Sequence, residues 1–312
     1  MKIAYIITAY IDPRQLRRLI SRLTISDKTK GEAHFYVHVD KKFSQQPFES
    51  LLNEKEKVWF APNRYRINWG GFNQVRSQLE LLRMVYESHI SYDRVVCLSA
   101  TDYPLVSNND LIKVFEANAD TEYIGGYNLT KSKDKAQLKK VCQYHFFRDA
   151  PLPLKLKRLV CYASRQLFTV LPIRKHPWVI GRNGKRYDVY TGSDYWALSG
   201  KCAKMVYETM IVDDKLMKYF EYSFIPSEGV INTIVFNSRY KDKCLIYNED
   251  EMIPKLEDLT PLQHLQYGKA IKVYTLDDWG ELKNCGKMFF RKARTGISDS
   301  LLDKLDKYAD EE

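Results

Sequence analysis

Lys2–Tyr10 reads KIAYIITAY, and this stretch decides the fold. Ile3–Thr8 is apolar on both faces, as a strand covered by helices on either side must be. Leu16, Leu19, Ile20 and Leu23 follow at helical spacing among arginines, an amphipathic helix. The next strand is Ala33–Val39 (AHFYVHV), which runs into Asp40, and Val58–Phe60 is a third, short one. Val75–Tyr86 reads as a helix with Leu79, Leu82 and Val85 on one face, and Arg94–Leu98 as another buried strand leading into SATDYPL. The order β-α-β-β-α-β predicts an α/β protein with a mostly parallel central sheet flanked by helices. Such sheets bind ligands outside the carboxyl ends of their strands, where Thr8–Tyr10, His38–Lys42 and Ser99–Pro104 fall.

The remaining segments are less regular. Tyr187–Ser199 (YDVYTGSDYWALS) reads as a turn and a strand, Cys244–Tyr247 as a short strand, and Leu256–Tyr267 as loop or weak helix. Ser298–Tyr308 carries Leu301, Leu302 and Leu305 on one face of a short helix. Between Gln143 and Trp178, leucines and valines alternate with Lys155, Lys157, Arg158, Arg165 and Arg174. Such a basic amphipathic segment either packs on its own domain with a solvated basic face or lies on a membrane surface.

The 312 residues, 45% of them hydrophobic, can bury a large core as one extended α/β domain or two small ones, and neither a repeat nor a low-complexity linker marks a boundary. A net charge of +10 favours anionic partners: a nucleoside diphosphate, an acidic membrane or a nucleic acid. The cations are spread along the chain, which argues against nucleic acid. Six cysteines without a CxxC pair point to reduced thiols and a cytoplasmic protein. Neither a signal peptide nor an apolar run of spanning length is read in the sequence.

Four stretches carry chemistry. In Phe224–Asn237 (FIPSEGVINTIVFN), Ser227 reads as an N-cap and Glu228 as a first-turn carboxylate, either a general base or an ordinary complement to the helix dipole. HVDKK (His38–Lys42) ends a strand in Asp40, suited to a base or ribose hydroxyl or to plain turn chemistry. NWGGF (Asn68–Phe72) sets Trp69 beside two glycines before a helix, consistent with close backbone approach to a ligand or with a packed helix entry. SATDYPL places Asp102 at a third strand end. The chain contains no Asp-x-Asp with which to hold a divalent cation on a diphosphate. Arg291 and Lys292 in MFFRKAR, with Lys269 or Lys272 upstream, are the cations able to offset that charge instead, unless they are a solvated face.

In this order the pieces IAYIITAY, HVDKK, WGGF, LSATDYPL, TGSDYWALS, IPSEGVINTIVFN and MFFRKAR cover about residues 3–295. Together they resemble the core-2/I-branching β-1,6-N-acetylglucosaminyltransferase and peptide xylosyltransferase family. The resemblance implies a GT-A-like glycosyltransferase fold: one catalytic domain, with a donor half at about 1–125, an acceptor and catalytic half at about 126–295, and a C-terminal helix at 296–312. It implies an inverting, metal-independent transfer from a UDP-sugar, most naturally UDP-GlcNAc, to a glycan or lipid-linked glycan, in surface polysaccharide synthesis. UDP-xylose as donor, or a non-catalytic nucleotide- or glycan-binding module, is the alternative. Matched residue by residue, Glu228 takes the place of the base, with Ser227 where the family commonly has Asp. Lys292, Arg291 and Lys269 (or Lys272) take the diphosphate side, and Ala9, Tyr10, Asp40 and Trp69 the uridine side. Asp102, Ser193, Tyr195 and Trp196 take the floor and acceptor side. No metal or other cofactor is implied, nucleic acid is not a partner, and contact is expected with the inner face of a membrane at most.

Overall fold

The computed structural model describes residues 1–25, 31–52, 56–171, 173–249 and 254–311, the side chains of 309–311 excepted. Residue 172 of the basic segment and residue 312 of the C-terminal helix therefore lie outside the described residues. The strand Lys2–Ala9 is central, with Glu32–Val39 and Arg94–Ser99 parallel on either side of it. The sheet continues outward through Val58–Phe60 on one edge. On the other it continues through Ala197–Ser199, Glu122–Asn128 and Cys244–Asn248. Ala197–Ser199 runs antiparallel to both of its neighbours, and Tyr190–Thr191 also pairs antiparallel with Glu122–Asn128. The α/β class, with its mostly parallel sheet flanked by helices, is the one expected.

The helices Pro13–Leu23 and Asn73–Glu87 lie on opposite faces of the central strand, which is why Ile3–Ile7 is buried throughout. Asp12 caps the first of them by accepting from the Gln15 backbone N–H at 3.1 Å, with Pro13 at its first position. The C-terminal helix, Asp299–Glu311, buries Leu301, Leu302 and Leu305 in the same core as the first. All six cysteines are free. No helix among the described residues is long and apolar enough to cross a membrane.

Three readings need correction. Glu122–Asn128 (EYIGGYN) is a fully buried strand that the sequence reading passed over because Gly-Gly weakens a strand signal. Here the glycines are required by packing: a Cβ on Gly125 would lie 2.2 Å from the Leu259 carbonyl oxygen, and one on Gly126 2.2 Å from the Phe236 ring. Leu256–Tyr267 holds a 3-10 turn at Leu256–Leu259 and a strand at Gln263–Leu265, parallel to Phe289–Arg291. The acidic helix opening is also displaced. Pro226–Glu228 forms its own 3-10 turn after Ile225, which sits in the left-handed region at φ 52°. The buried helix Val230–Phe236 starts only afterwards. Ser227 is not its N-cap, and Glu228 is not in its first turn.

Candidate active site

Register brings the strand ends level: Thr8 pairs with His38 on one side and with Ser99 on the other. Above them opens a cleft of about 430 Å³, within the size range of small-ligand sites. Its walls come from Ala9, Tyr10 and Asp40, the Asn68–Gly71 turn, Ser193–Tyr195, Ser227–Glu228, Tyr267 and Arg291. The chain thus assembles this cleft from its beginning, middle and end.

Glu228 is held by its backbone. The Gly192 N–H donates to its carbonyl at 2.8 Å, and its own N–H donates to Ile225 at 3.2 Å, so the carboxylate is aimed into the cleft. Burial raises its pKa to about 7, the nearby Asp194 carboxylate pushes the same way, and Lys140, 3.8 Å off, pulls it down. A carboxylate titrating near neutrality is suited to taking up a proton. Asp194 is itself raised by burial, while a Ser227 hydrogen bond and Arg291 oppose the rise. Asp194 lies within TGSDYW yet was not singled out from the sequence, because the turn gives no hint that Glu228 faces it. An Asp194→Asn variant should lower the Glu228 pKa, moving the acidic limb of any base-dependent rate to lower pH. A log kcat/KM profile of the two proteins checks this, and an unmoved limb would mean that Asp194 does not tune the base.

The cations are delivered by strand pairing. Phe289–Arg291 runs antiparallel to Asp102–Pro104, which sets Arg291 opposite Asp102 at the top of the central sheet. The Arg291 guanidinium lies 4.4 Å from the Tyr195 ring centroid, with Nε 3.9 Å from Asp102 Oδ1. Burial works against its charge, but Tyr195 and Asp102 hold it above the ordinary arginine value. Its Nε and one terminal nitrogen are buried without a hydrogen-bond partner in a side chain that lines the cleft. Nε faces the Asp102 carboxylate, and the guanidinium as a whole gives this wall of the cleft a fixed positive charge. Lys292 Nζ donates to the Tyr10 hydroxyl at 3.0 Å. Burial tends to raise the Tyr10 pKa, but Lys292, Arg291 and Arg294 bring it below the usual value, so this end of the cleft is electropositive. Lys269 is exposed in the Tyr267–Ile271 turn whose two ends line the cleft. Lys272 is engaged by Asp278 at 2.8 Å and Glu281 at 3.3 Å, so of the two upstream lysines Lys269 has the better access.

Opposite the cations, Asp40 Oδ1 accepts from the backbone N–H of Lys42 (3.0 Å) and of Ile67 (3.2 Å), and Lys42 Nζ lies 3.2 Å from Oδ2. Asp40 therefore ties the Asn68–Gly71 turn to the strand end as well as lining the cleft. His38 is pushed down to about 4 by burial and stays neutral at pH 7, accepting from the Tyr65 N–H at 2.9 Å. Trp69 is 72% exposed at the cleft edge, its ring standing on Phe224 with centroids 4.9 Å apart. Gly70, at φ 75°, leaves room for Phe224, since a Cβ there would lie 2.3 Å from that ring. Gly71 does the same for Asp149. The glycines of WGGF thus admit two of the protein's own side chains.

Two expected acceptor-side residues lie behind the cleft wall. Trp196, just before the strand Ala197–Ser199, is buried in the core, whereas its neighbour Tyr195 lines the cleft. Asp102 is fully buried, raised to about 6 by burial, and accepts from the Ser99 N–H at 2.7 Å and Gln263 Nε2 at 2.5 Å. It positions Arg291. Ser193 and Tyr195 do line the cleft. Lys140 and Tyr267 were not foreseen: Tyr267 lines the cleft, and Glu228 adds to the burial that raises its hydroxyl pKa.

The Core-2/I-Branching enzyme family profile matches residues 3–253, and the chain belongs to that family of glycosyltransferases. Xylosyltransferase 1 of Homo sapiens is 25% identical over 244 residues, 75% of this chain and 22% of that protein. A xylosyltransferase of Ciona intestinalis is 26% identical over 72% of this chain and 24% of its own length. The chain thus spans about a quarter of the curated relatives it matches. Glucosyl-3-phosphoglycerate synthase from Mycobacterium tuberculosis, a solved structure, is 12% identical over 83% of this chain and 74% of its own. It superposes with a TM-score of 0.35, too slight a likeness to bear on function.

Proposed function

We propose that the protein is an inverting glycosyltransferase that moves a sugar, most naturally GlcNAc, from a UDP-sugar to a hydroxyl of a glycan or lipid-linked glycan, without a divalent metal. One observation carries this reading: a carboxylate titrating near 7 and an arginine with unpartnered buried donors line the same cleft. The acceptor O–H gives its proton to Glu228 as its oxygen attacks the anomeric carbon. The bond from that carbon to the diphosphate breaks on the opposite face, and the charge on departing UDP is met by Arg291 and Lys292. Lys269 is placed to close on the same group. Ala9, Tyr10, Asp40 and Trp69 hold the uridine, and Ser193 and Tyr195 face the sugars. Residues 1–125 supply mainly the donor wall and 126–295 the base and acceptor wall. The unpaired cysteines favour a reducing compartment.

A second reading has its own support, since the curated relatives are named xylosyltransferases. Both readings are tested by UDP release, in EDTA, from a panel containing UDP-GlcNAc, UDP-xylose, UDP-galactose and UDP-glucose. Turnover of UDP-GlcNAc above the rest supports the first reading and turnover of UDP-xylose the second. Release from none of the four would leave a binding module.

A further inference from the structure

The helix Leu154–Val170 does not pack as a surface helix normally does. None of its residues is buried. Its inner side, through Cys161 and Phe168, rests on an aromatic cluster: the Phe168 ring lies 5.5 Å from Tyr144 and 5.2 Å from Phe146. Leu156, Leu159, Ala163, Leu167 and Val170 fall three and four residues apart, so they form one stripe along a different face. That stripe is open to solvent, with Leu159 63%, Leu167 54% and Val170 83% exposed. Lys155 and Tyr162 flank it on one side, Arg158 and Arg165 lie farther round the helix, all four are exposed, and the chain has no Asp or Glu between Asp149 and Asp188. The helix thus packs on its own domain through Cys161 and Phe168 with its basic residues solvated, as one of the two expectations had it, but the packing leaves the leucine stripe uncovered.

We propose that this face docks on the surface of an anionic lipid bilayer. An exposed leucine stripe flanked by Lys155 and Tyr162, on a helix whose only charged side chains are cations, matches the chemistry of acyl chains beneath anionic headgroups. A second copy of the chain fits less well. Stripe against stripe would bring two all-basic helices together, Lys155 nearest the contact, with no acid in the segment to pair them. A helix of 17 residues is also only ~25 Å long, and one stripe on it falls short of the ~800 Å² per partner of a standard interface. The helix is fixed to the rim of the catalytic cleft. Lys157 Nζ donates to Asn68 Oδ1 at 3.0 Å, and Asp149, just before the helix, accepts from the Asn73 N–H at 2.8 Å. Docking would therefore hold the cleft mouth beside the headgroups. The surface itself carries this assignment; only the use of a membrane-borne acceptor rests on the transferase reading.

Co-sedimentation of the full chain with vesicles tests it, comparing pure phosphatidylcholine with a three-to-one mixture of phosphatidylcholine and phosphatidylglycerol. Partitioning is expected to be at least about tenfold stronger on the anionic vesicles and to weaken sharply in high salt. Leu159→Asp/Leu167→Asp should abolish it, and Arg158→Gln/Arg165→Gln should reduce it about tenfold. Both variants change exposed side chains, so circular dichroism and UDP binding should match the parent. Equal binding to both vesicles, no binding, or retention by the leucine variant would overturn the proposal. So would a dimer, seen in sedimentation velocity, that the leucine variant dissociates. Vesicle binding without UDP binding would instead count against the transferase reading alone.

Discussion

Replacing Glu228 with Gln is expected to cut sugar transfer by ~10³-fold while leaving UDP affinity within about twofold of the parent. The amide keeps the size of the side chain and loses the ability to accept the proton. The same substitution has a second consequence, of opposite sense. Glu228 titrates near 7 in the folded protein against an ordinary 4.5, so between those values the folded state keeps a proton that the unfolded chain has released. Its contribution to stability therefore falls as pH rises through that window, and above pH 7 the buried charge is a full liability. Glu228→Gln should thus unfold at a higher temperature than the parent at pH 8, and the difference should shrink toward pH 5. Lost activity with no gain in midpoint would mean that the carboxylate is not enclosed as described.

Arg291 is the second position of large effect. Arg291→Ala should lower kcat/KM by about a hundred- to a thousandfold, the scale of losing one preorganised donor to developing negative charge. It should also destabilise the fold, because Asp102 would be left buried without its cation, a loss of about 3 kcal/mol. Arg291→Lys separates the two effects. A lysine retains a charge near Asp102 and so most of the stability, but it lacks the planar, many-donor guanidinium that stacks on Tyr195 beside the cleft. Steady-state rates, UDP affinity and thermal midpoints of both variants decide it. Near-parental activity in Arg291→Lys would show that charge alone suffices there.

The strands around Lys2–Ala9 were legible because a strand covered on both faces is apolar throughout, and no other signal is needed. The strand at Glu122–Asn128 was not, since the reason for Gly125 and Gly126 lies in Leu259 and Phe236, far along the chain. Site residues divide in the same way. Glu228, Arg291 and Tyr10 stand in quotable motifs, but motif text cannot show burial. Taken alone, MFFRKAR reads as a solvated tail, and only its pairing with Asp102–Pro104 buries Arg291. Tyr195 and Trp196 are neighbours in sequence, yet one lines the cleft and the other lies in the core, in a loop that carries no period to tell them apart. Asp194 acquires its meaning from Glu228 across the cleft. The leucines at 156, 159 and 167 carry the same periodicity as a packed helix, so sequence alone could not tell a core-facing stripe from a docking face.

The most direct test of the account is calorimetric titration of UDP into the protein in EDTA, repeated with Mn²⁺. Arg291 and Lys292 are assigned the charge that a metal would otherwise carry, so micromolar binding is expected in EDTA, unchanged by Mn²⁺ and weakened at least about tenfold in Arg291→Ala. Binding that appears only when Mn²⁺ is added would contradict the metal-free assignment, and no binding under either condition would contradict a UDP-sugar donor.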